Sequence, residues 1–128
     1  MEKAKIKDFT DLIVWQEGHK LVLLVYTYTR QFPKEETYSL TDQMRRSVSS
    51  ITSNIAEGFG RHTMKDKVQF YYLAHGSLTE LKNQIMIARD VGYVKNSDCM
   101  SLKENADLVH RLLQGLITKS KSFLNPKS

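Results

Sequence analysis

The sequence predicts an all-α protein, an antiparallel up-down-up-down four-helix bundle, on three observations. Four segments carry apolar residues at helical spacing, glycine and proline fall mainly between them, and no strand-like alternation of comparable length competes. The chain has 128 residues, 41% hydrophobic and 26% charged, the size of one domain and the composition of one with a packed core. A single domain over residues 1–128 is therefore expected.

The first helix is expected over about residues 11–32. Val14, Gly18, Leu21, Val25 and Tyr28 follow one seam, and Leu12, Trp15, Val22 and Tyr26 follow a neighbouring one. Pro33 ends it, because the residue before a proline is pushed out of the helical region. The second is expected over about 39–58, with Ser39 capping the free amides and Asp42, three residues on, as a weaker capping-box partner. Its stripe is Leu40, Met44, Val48, Ile51 and Ile55, its small residues (Ser47, Ser49, Ser50, Thr52, Ser53) permit close helix approach, and Gly58 would close it in the left-handed conformation. The third, about 63–91, opens on Thr63 with Asp66 and runs through Val68, Tyr71, Tyr72, His75, Leu78, Leu81, Ile85, Ala88 and Val91 to a stop at Gly92. The fourth, about 97–124, is capped by Ser97, turns Leu102, Ala106, Val109, Leu113, Leu116, Ser120 and Phe123 inward, and fades before Pro126. Such rods would be about 30 to 44 Å long at 1.5 Å per residue, and short loops force neighbours to run antiparallel.

Several classes are excluded by what the residues lack. The longest unbroken apolar run, Leu21–Val25, is far short of the roughly 20 residues of a membrane span. The opening Met1-Glu2-Lys3-Ala4-Lys5-Ile6-Lys7-Asp8 has no apolar stretch or cleavage site of a secretory signal, so a cytoplasmic protein is expected. Cys99 is the only cysteine and is read as structural. Gly58-Phe59-Gly60-Arg61 lacks the spacing of a phosphate loop and follows a helix, and the serines of the second helix have no histidine nearby in sequence. Asp107 and His110 have the spacing of half a di-metal site, but His19, His62 and His75 have no carboxylate three residues before them. No catalytic residue, metal or cofactor is expected, and His75 is read as a hydrogen-bonded residue near the core.

The charge is informative. Lysine and arginine number 19 against 14 acids, a formal net charge of +5 and a pI near 9.3. Arg45, Arg46, Arg61, Lys65 and Lys67 outnumber Glu57 and Asp66, and Arg111, Lys119, Lys121 and Lys127 have no acid among them. Arginine offers a planar fork to phosphate oxygens and lysine a mobile point charge, so these clusters are candidates for gripping a nucleic-acid backbone without reading bases. Glu57, in the last turn of its helix, opposes the helix dipole and is expected to pair with Arg45, Arg46 or Arg61. Because Leu21–Val25 is apolar around the whole first helix, a second buried face is expected, an oligomer interface of Trp15, Leu23, Leu24, Tyr26 and Tyr28.

The segment Ser53-Asn54-Ile55-Ala56-Glu57-Gly58-Phe59-Gly60-Arg61 resembles the signature of the 23S ribosomal RNA intervening-sequence protein family, also called the four-helix bundle proteins. Phe9 to Gln16, Phe32-Pro33, Tyr38 to Arg46 and Gly76 to Leu81 support the resemblance, which spans roughly Phe9 to Leu116; Thr52 departs from it where the family often carries proline. The resemblance implies a bundle that assembles into a ring, a homopentamer. It also implies kinship with the basic barrel-shaped accessory proteins of diversity-generating retroelements, which bind nucleic acid together with a reverse transcriptase. The expected function is a non-enzymatic homo-oligomer that binds RNA or DNA without strong sequence preference, each copy's patch summing around the ring. The alternative is a ring-shaped protein-interaction scaffold with no nucleic-acid role.

Overall fold

In the computed structural model, which describes residues 5–124, the apolar stripes become four helices: α1 (Ile13–Thr29), α2 (Leu40–Phe59), α3 (Met64–Asp90) and α4 (Asn96–Ser122). A 3-10 turn, Phe9–Asp11, precedes α1, and another, Lys34–Glu36, lies between α1 and α2. Each helix packs on two neighbours, in the cyclic order α1, α2, α3, α4 and back to α1, without diagonal contact. Neighbours run antiparallel. Arg45 early in α2 meets Thr29 at the end of α1, while the later Thr52 meets Gly18. Ser50 pairs with Ser77 but Gly58 with Tyr71, and Lys82 pairs with Asp107 but Tyr72 with Lys121. The core between them holds Leu21, Met44, Ile51, Ile55, Leu78, Leu81, Ile85, Leu102, Leu113 and Ile117, each under 2% exposed, and Cys99 is buried at one end of α4. Gln84 is the polar residue whose burial is least well compensated: its Nε2 donates to Glu80, but its buried Oε1 has no partner among the described residues.

The helix ends correct several expectations. α1 stops at Thr29, not Phe32, because a tight turn (Gln31 N–H to Tyr28 O, Phe32 N–H to Thr29 O) carries Phe32 inward, where it is buried against Tyr93 with ring centroids 5.4 Å apart. Ser39 contributes no side-chain cap to α2. Instead Glu36 Oε2 accepts from the Leu40 amide at 3.1 Å, its Oε1 accepts from the Tyr93 hydroxyl at 3.1 Å, and these two bonds, the amide foremost, hold the carboxyl below its ordinary range. Asp42 sits one turn further and pairs with Arg46 at 3.3 Å. Lys95, not Ser97, occupies the α4 cap, and the inner face there takes Ile117 in place of Leu116, while Phe123, Tyr72 and Val91 face solvent. The Thr63 cap forms as its sequence implies, with Asp66 N–H donating to Thr63 Oγ1 at 3.1 Å. Gly92 likewise closes α3: at φ +84° it lets Tyr93 N–H reach Ala88 O and its own N–H reach Arg89 O, a Schellman stop. Pro126 and Lys127 lie outside the described residues.

Gly58 has a different role from the one its sequence position suggests. It lies inside α2 and is buried, and Gly60 takes the cap position with an ordinary helical φ of −78°. A Cβ at Gly58 would sit 2.7 Å from Tyr71 Cε1 and 3.0 Å from Phe70 Cβ. Glycine is required here for close helix approach, not for a turn.

The apolar run of α1 is absorbed within one bundle. Leu21 and Val25 are fully buried, Val22 and Leu24 are half-buried on opposite flanks, and Leu23 is left 55% exposed. Trp15 and Tyr26 share the flank of Val22, whereas Tyr28 shares that of Leu24, so the five residues expected at an interface form no single face.

Gly58→Ala should destabilise the protein by about 1–3 kcal/mol in urea unfolding, the range for overpacking a core. Gly76→Ala, where an added Cβ meets nothing within 4 Å, should stabilise it by about 1 kcal/mol through helix propensity.

Candidate nucleic-acid interface

Antiparallel packing sorts the basic residues by end. The C-termini of α2 and α4 and the N-termini of α1 and α3 share one end, so Arg61, Lys65 and Lys67 lie at the same end as Lys119 and Lys121, which are far away in sequence. Arg45 and Arg46 do not join them: 16 residues up α2 from Arg61, they sit about 24 Å away at 1.5 Å per residue. Arg46 is paired with Asp42. Arg45 is half-buried, its Nε donating to Thr29 Oγ1 at 3.0 Å and its guanidinium 4.6 Å over the Tyr26 ring, a packing role at the end of α1. Arg111 is exposed on the outer face of α4, about 15 Å from Lys121 along the helix.

At the shared end, cations and aromatic rings alternate. Lys67 Nζ donates to the carbonyl of Phe59 and, at 3.5 Å, to that of Gly58, which also accepts from the Arg61 amide, so it caps the end of α2; it lies 5.3 Å from the Phe59 ring. Arg61 stands 4.5 Å over the Phe70 ring, with Nη2 3.5 Å from Glu57 Oε1. That distance and the half-exposed side chains make a weak surface pair. Lys121 Nζ donates to the Tyr72 hydroxyl at 3.1 Å and lies 5.7 Å from its ring. Lys65 and Lys119 are exposed and have no ion-pair partner among the described residues. Beside them, Phe9 packs edge-on to Trp15, Trp15 stacks on His19 at 4.8 Å, and a shallow depression is lined by Phe9, Ser53, Asn54, Ala56, Glu57 and Phe70. The acids of this end are Glu57 and Asp66 with Asp8 and Asp11 of the 3-10 turn, and Asp11 is held below its ordinary pKa by the amides of Lys7 and Asp8.

The stretch from Ser53 to Arg61 builds this end. Asn54 Nδ2 bonds Ser50 O and Oγ, and Ser50 Oγ meets Ser77 Oγ at 2.8 Å, tying α2 to α3. Ile55 is core, Gly58 admits Tyr71, Phe59 underlies Lys67, and Arg61 covers Phe70. Helical periodicity does not mark Phe59, Phe70 and Tyr72 as partners of the basic residues. The only available signal was a phenylalanine or tyrosine within a turn or two of each lysine or arginine around 59–72.

A second polar cluster occupies the α3–α4 seam. Lys82 Nζ is 3.0 Å from Asp107 Oδ1 and 3.3 Å from His110 Nδ1, and the His75 ring meets the His110 ring edge-on at 5.0 Å. His75 is therefore half-buried against another imidazole rather than set within the core. The half di-metal spacing of Asp107 and His110 is engaged by the lysine ammonium. Lys82 holds the Asp107 carboxyl below its ordinary range, while burial, then Lys82 and His75, lower the His110 pKa against the opposing pull of Asp107.

Comparison with known proteins adds two findings. The family model for the 23S rRNA-intervening sequence protein matches residues 10–115. A crystal structure of a protein of unknown function from the S23 ribosomal protein family of Bacteroides thetaiotaomicron VPI-5482 superposes with a TM-score of 0.75 at 18% identity, covering 82% of this chain and 98% of that one. Among curated proteins none matches.

Because His110 is held in its neutral form by the fold, the unfolded chain binds more protons than the folded one below the ordinary histidine pKa. Stability should be full above about pH 6.5 and drain as the pH falls from there through the lowered folded value. His110→Gln should flatten that decline in urea midpoints measured from pH 7.5 to 5.5.

Proposed function

The chain belongs to the 23S rRNA-intervening sequence protein family, and from that premise we propose that it is a non-enzymatic module that grips a single-stranded nucleic-acid backbone with the end of the bundle carrying Arg61, Lys65, Lys67, Lys119 and Lys121. One observation supports this reading above the others: cation and aromatic ring are paired three times over on that end, at Arg61 and Phe70, Lys67 and Phe59, and Lys121 and Tyr72. Basic groups neutralise phosphates, and exposed rings, here Tyr72 and Phe123, offer faces on which bases of any sequence stack. Lys65 and Lys119 are free to move to a phosphate. Lys67 is committed to α2's carbonyls and acts mainly by placing positive potential there. A backbone grip with stacking fits RNA and DNA alike and needs no base code.

Self-association would multiply this end around a symmetry axis, raising affinity for a long strand through effective concentration. We propose it as a homo-oligomer, pentameric by family likeness, on that ground and not on the α1 run. A protein-scaffold reading has its own observation: Tyr38 is 94% exposed beside a groove lined by Leu40, Ile87, Val91 and Tyr93. Recovery of a single partner polypeptide after nuclease treatment would favour it.

Titrating a fluorescent single-stranded oligonucleotide across salt concentrations should give a log-log slope that Lys65→Ala with Lys119→Ala flattens by roughly 0.7 per lost phosphate contact. Arg46→Ala, at the opposite end, should leave the slope unchanged. No binding at low salt by the unaltered protein would remove the proposal.

A further inference from the structure

The α3–α4 seam begins at the basic end and continues away from it. Its first rung is Tyr72 with Lys121, followed along α4 by the His75–His110 ring pair, Lys82 with Asp107, and Lys103. From Lys121 to Lys103 is 18 residues, about 27 Å at 1.5 Å per residue. Three permanent cations (Lys82, Lys103, Lys121) line it with Asp107, and Arg111 and Glu104 stand at its outer edge. Only helices α3 and α4 pack here; the groups acting on His110 are Lys82 and His75 from α3 and Asp107 from α4, while Lys103 and Arg111 act on Asp107. The ring pair stands in the middle of the track, half-buried but not sealed.

We propose that this seam extends the nucleic-acid interface as a proton-gated track, on which a phosphodiester backbone is held more tightly once His75 and His110 carry protons. The inference rests on the function proposed above and adds a regulated second segment to the same site.

The physical reason is mutual. In the free protein His110 Nδ1 faces the Lys82 ammonium, so it can only accept, and protonation would set two cations face to face 3.3 Å apart. A second imidazolium at His75 would add to the repulsion. A phosphate lying on the seam supplies the counter-charge the protein lacks, Asp107 being already shared with Lys82. Protonation and phosphate binding then favour each other, and by linkage each raises the affinity for the other by the same factor. If binding lifts the pKa of one imidazole by a single unit, affinity gains about ten-fold between a pH above both values and a pH below both.

The test is fluorescence anisotropy with a labelled oligo(dT) at fixed ionic strength, pH 7.5 against pH 5.5. The unaltered chain should bind tighter at pH 5.5, by up to about ten-fold for a one-unit rise in pKa on binding. His75→Gln with His110→Gln, and His110→Gln alone as a milder variant with circular dichroism checking the fold, should lose most of that gain, read as each variant's own ratio of affinities at the two pH values. His19→Gln, which lies off the seam on α1, should keep it. In NMR titration of the histidine ring protons, the His110 pKa should rise when oligo(dT) is bound. Equal pH gains in the unaltered chain and the double variant, or a His110 pKa that does not move, overturn the gated track and leave the basic end standing. No binding at either pH overturns both.

Discussion

The separation of α2 and α3 sets most of what is distinctive in this bundle. Tyr71 rests where a side chain on Gly58 would be, and the serine and asparagine bonds at Ser50, Asn54 and Ser77 hold the same seam one and two turns away. Close approach at the α2 C-terminus leaves a connection of four residues, Gly60 to Thr63, and requires that α2 stop and α3 start within it. Both jobs are done by neighbours: Lys67 from α3 donates to the Phe59 carbonyl at the end of α2, and Thr63 Oγ1 accepts from α3's amide at Asp66. The cation at the turn is thus a consequence of packing before it is anything a ligand could use.

That order of causes explains the character of the basic end. Two helix C-termini lie at this end, alternating with two N-termini, and lysines in the last turn of α4 and the first turns of α3 sit beside the C-terminal carbonyls, where positive charge is favoured. This effect is local, whereas the net positive field reaches further. Aromatic faces lie under Arg61, Lys67 and Lys121, alongside the Glu57 carboxylate for Arg61 and the Phe59 carbonyl for Lys67.

The α1 run shows how far one bundle can cover an apolar stretch. Five consecutive apolar residues sweep more than a full turn, but a helix in a four-helix ring touches two neighbours, so both flanks are partly covered. Leu23 remains outside, beside polar Gln16, Lys20 and Thr27. Isolated exposed leucines are ordinary.

The sequence by itself determined the four helices, their order and the central core, because apolar spacing at 3.6 residues is a local property: Leu40, Met44, Val48, Ile51 and Ile55 are legible without knowing what they touch, and the Thr63 cap and the Gly92 stop are fixed within a turn. The tertiary structure alone decided the rest. Phe32 leaves α1 because Tyr93, some 60 residues on, provides a surface for it, and Glu36 caps α2 because Tyr93 orients its carboxylate. Gly58 is a packing glycine because of Tyr71. The basic residues likewise carried no address in the sequence: Arg61 and Lys121 share an end, and Arg45 does not, only because antiparallel packing folds distant segments together and parts those on one rod. Charge and ring type are written residue by residue, but proximity across helices is not, and a surface that holds a ligand is made of proximity.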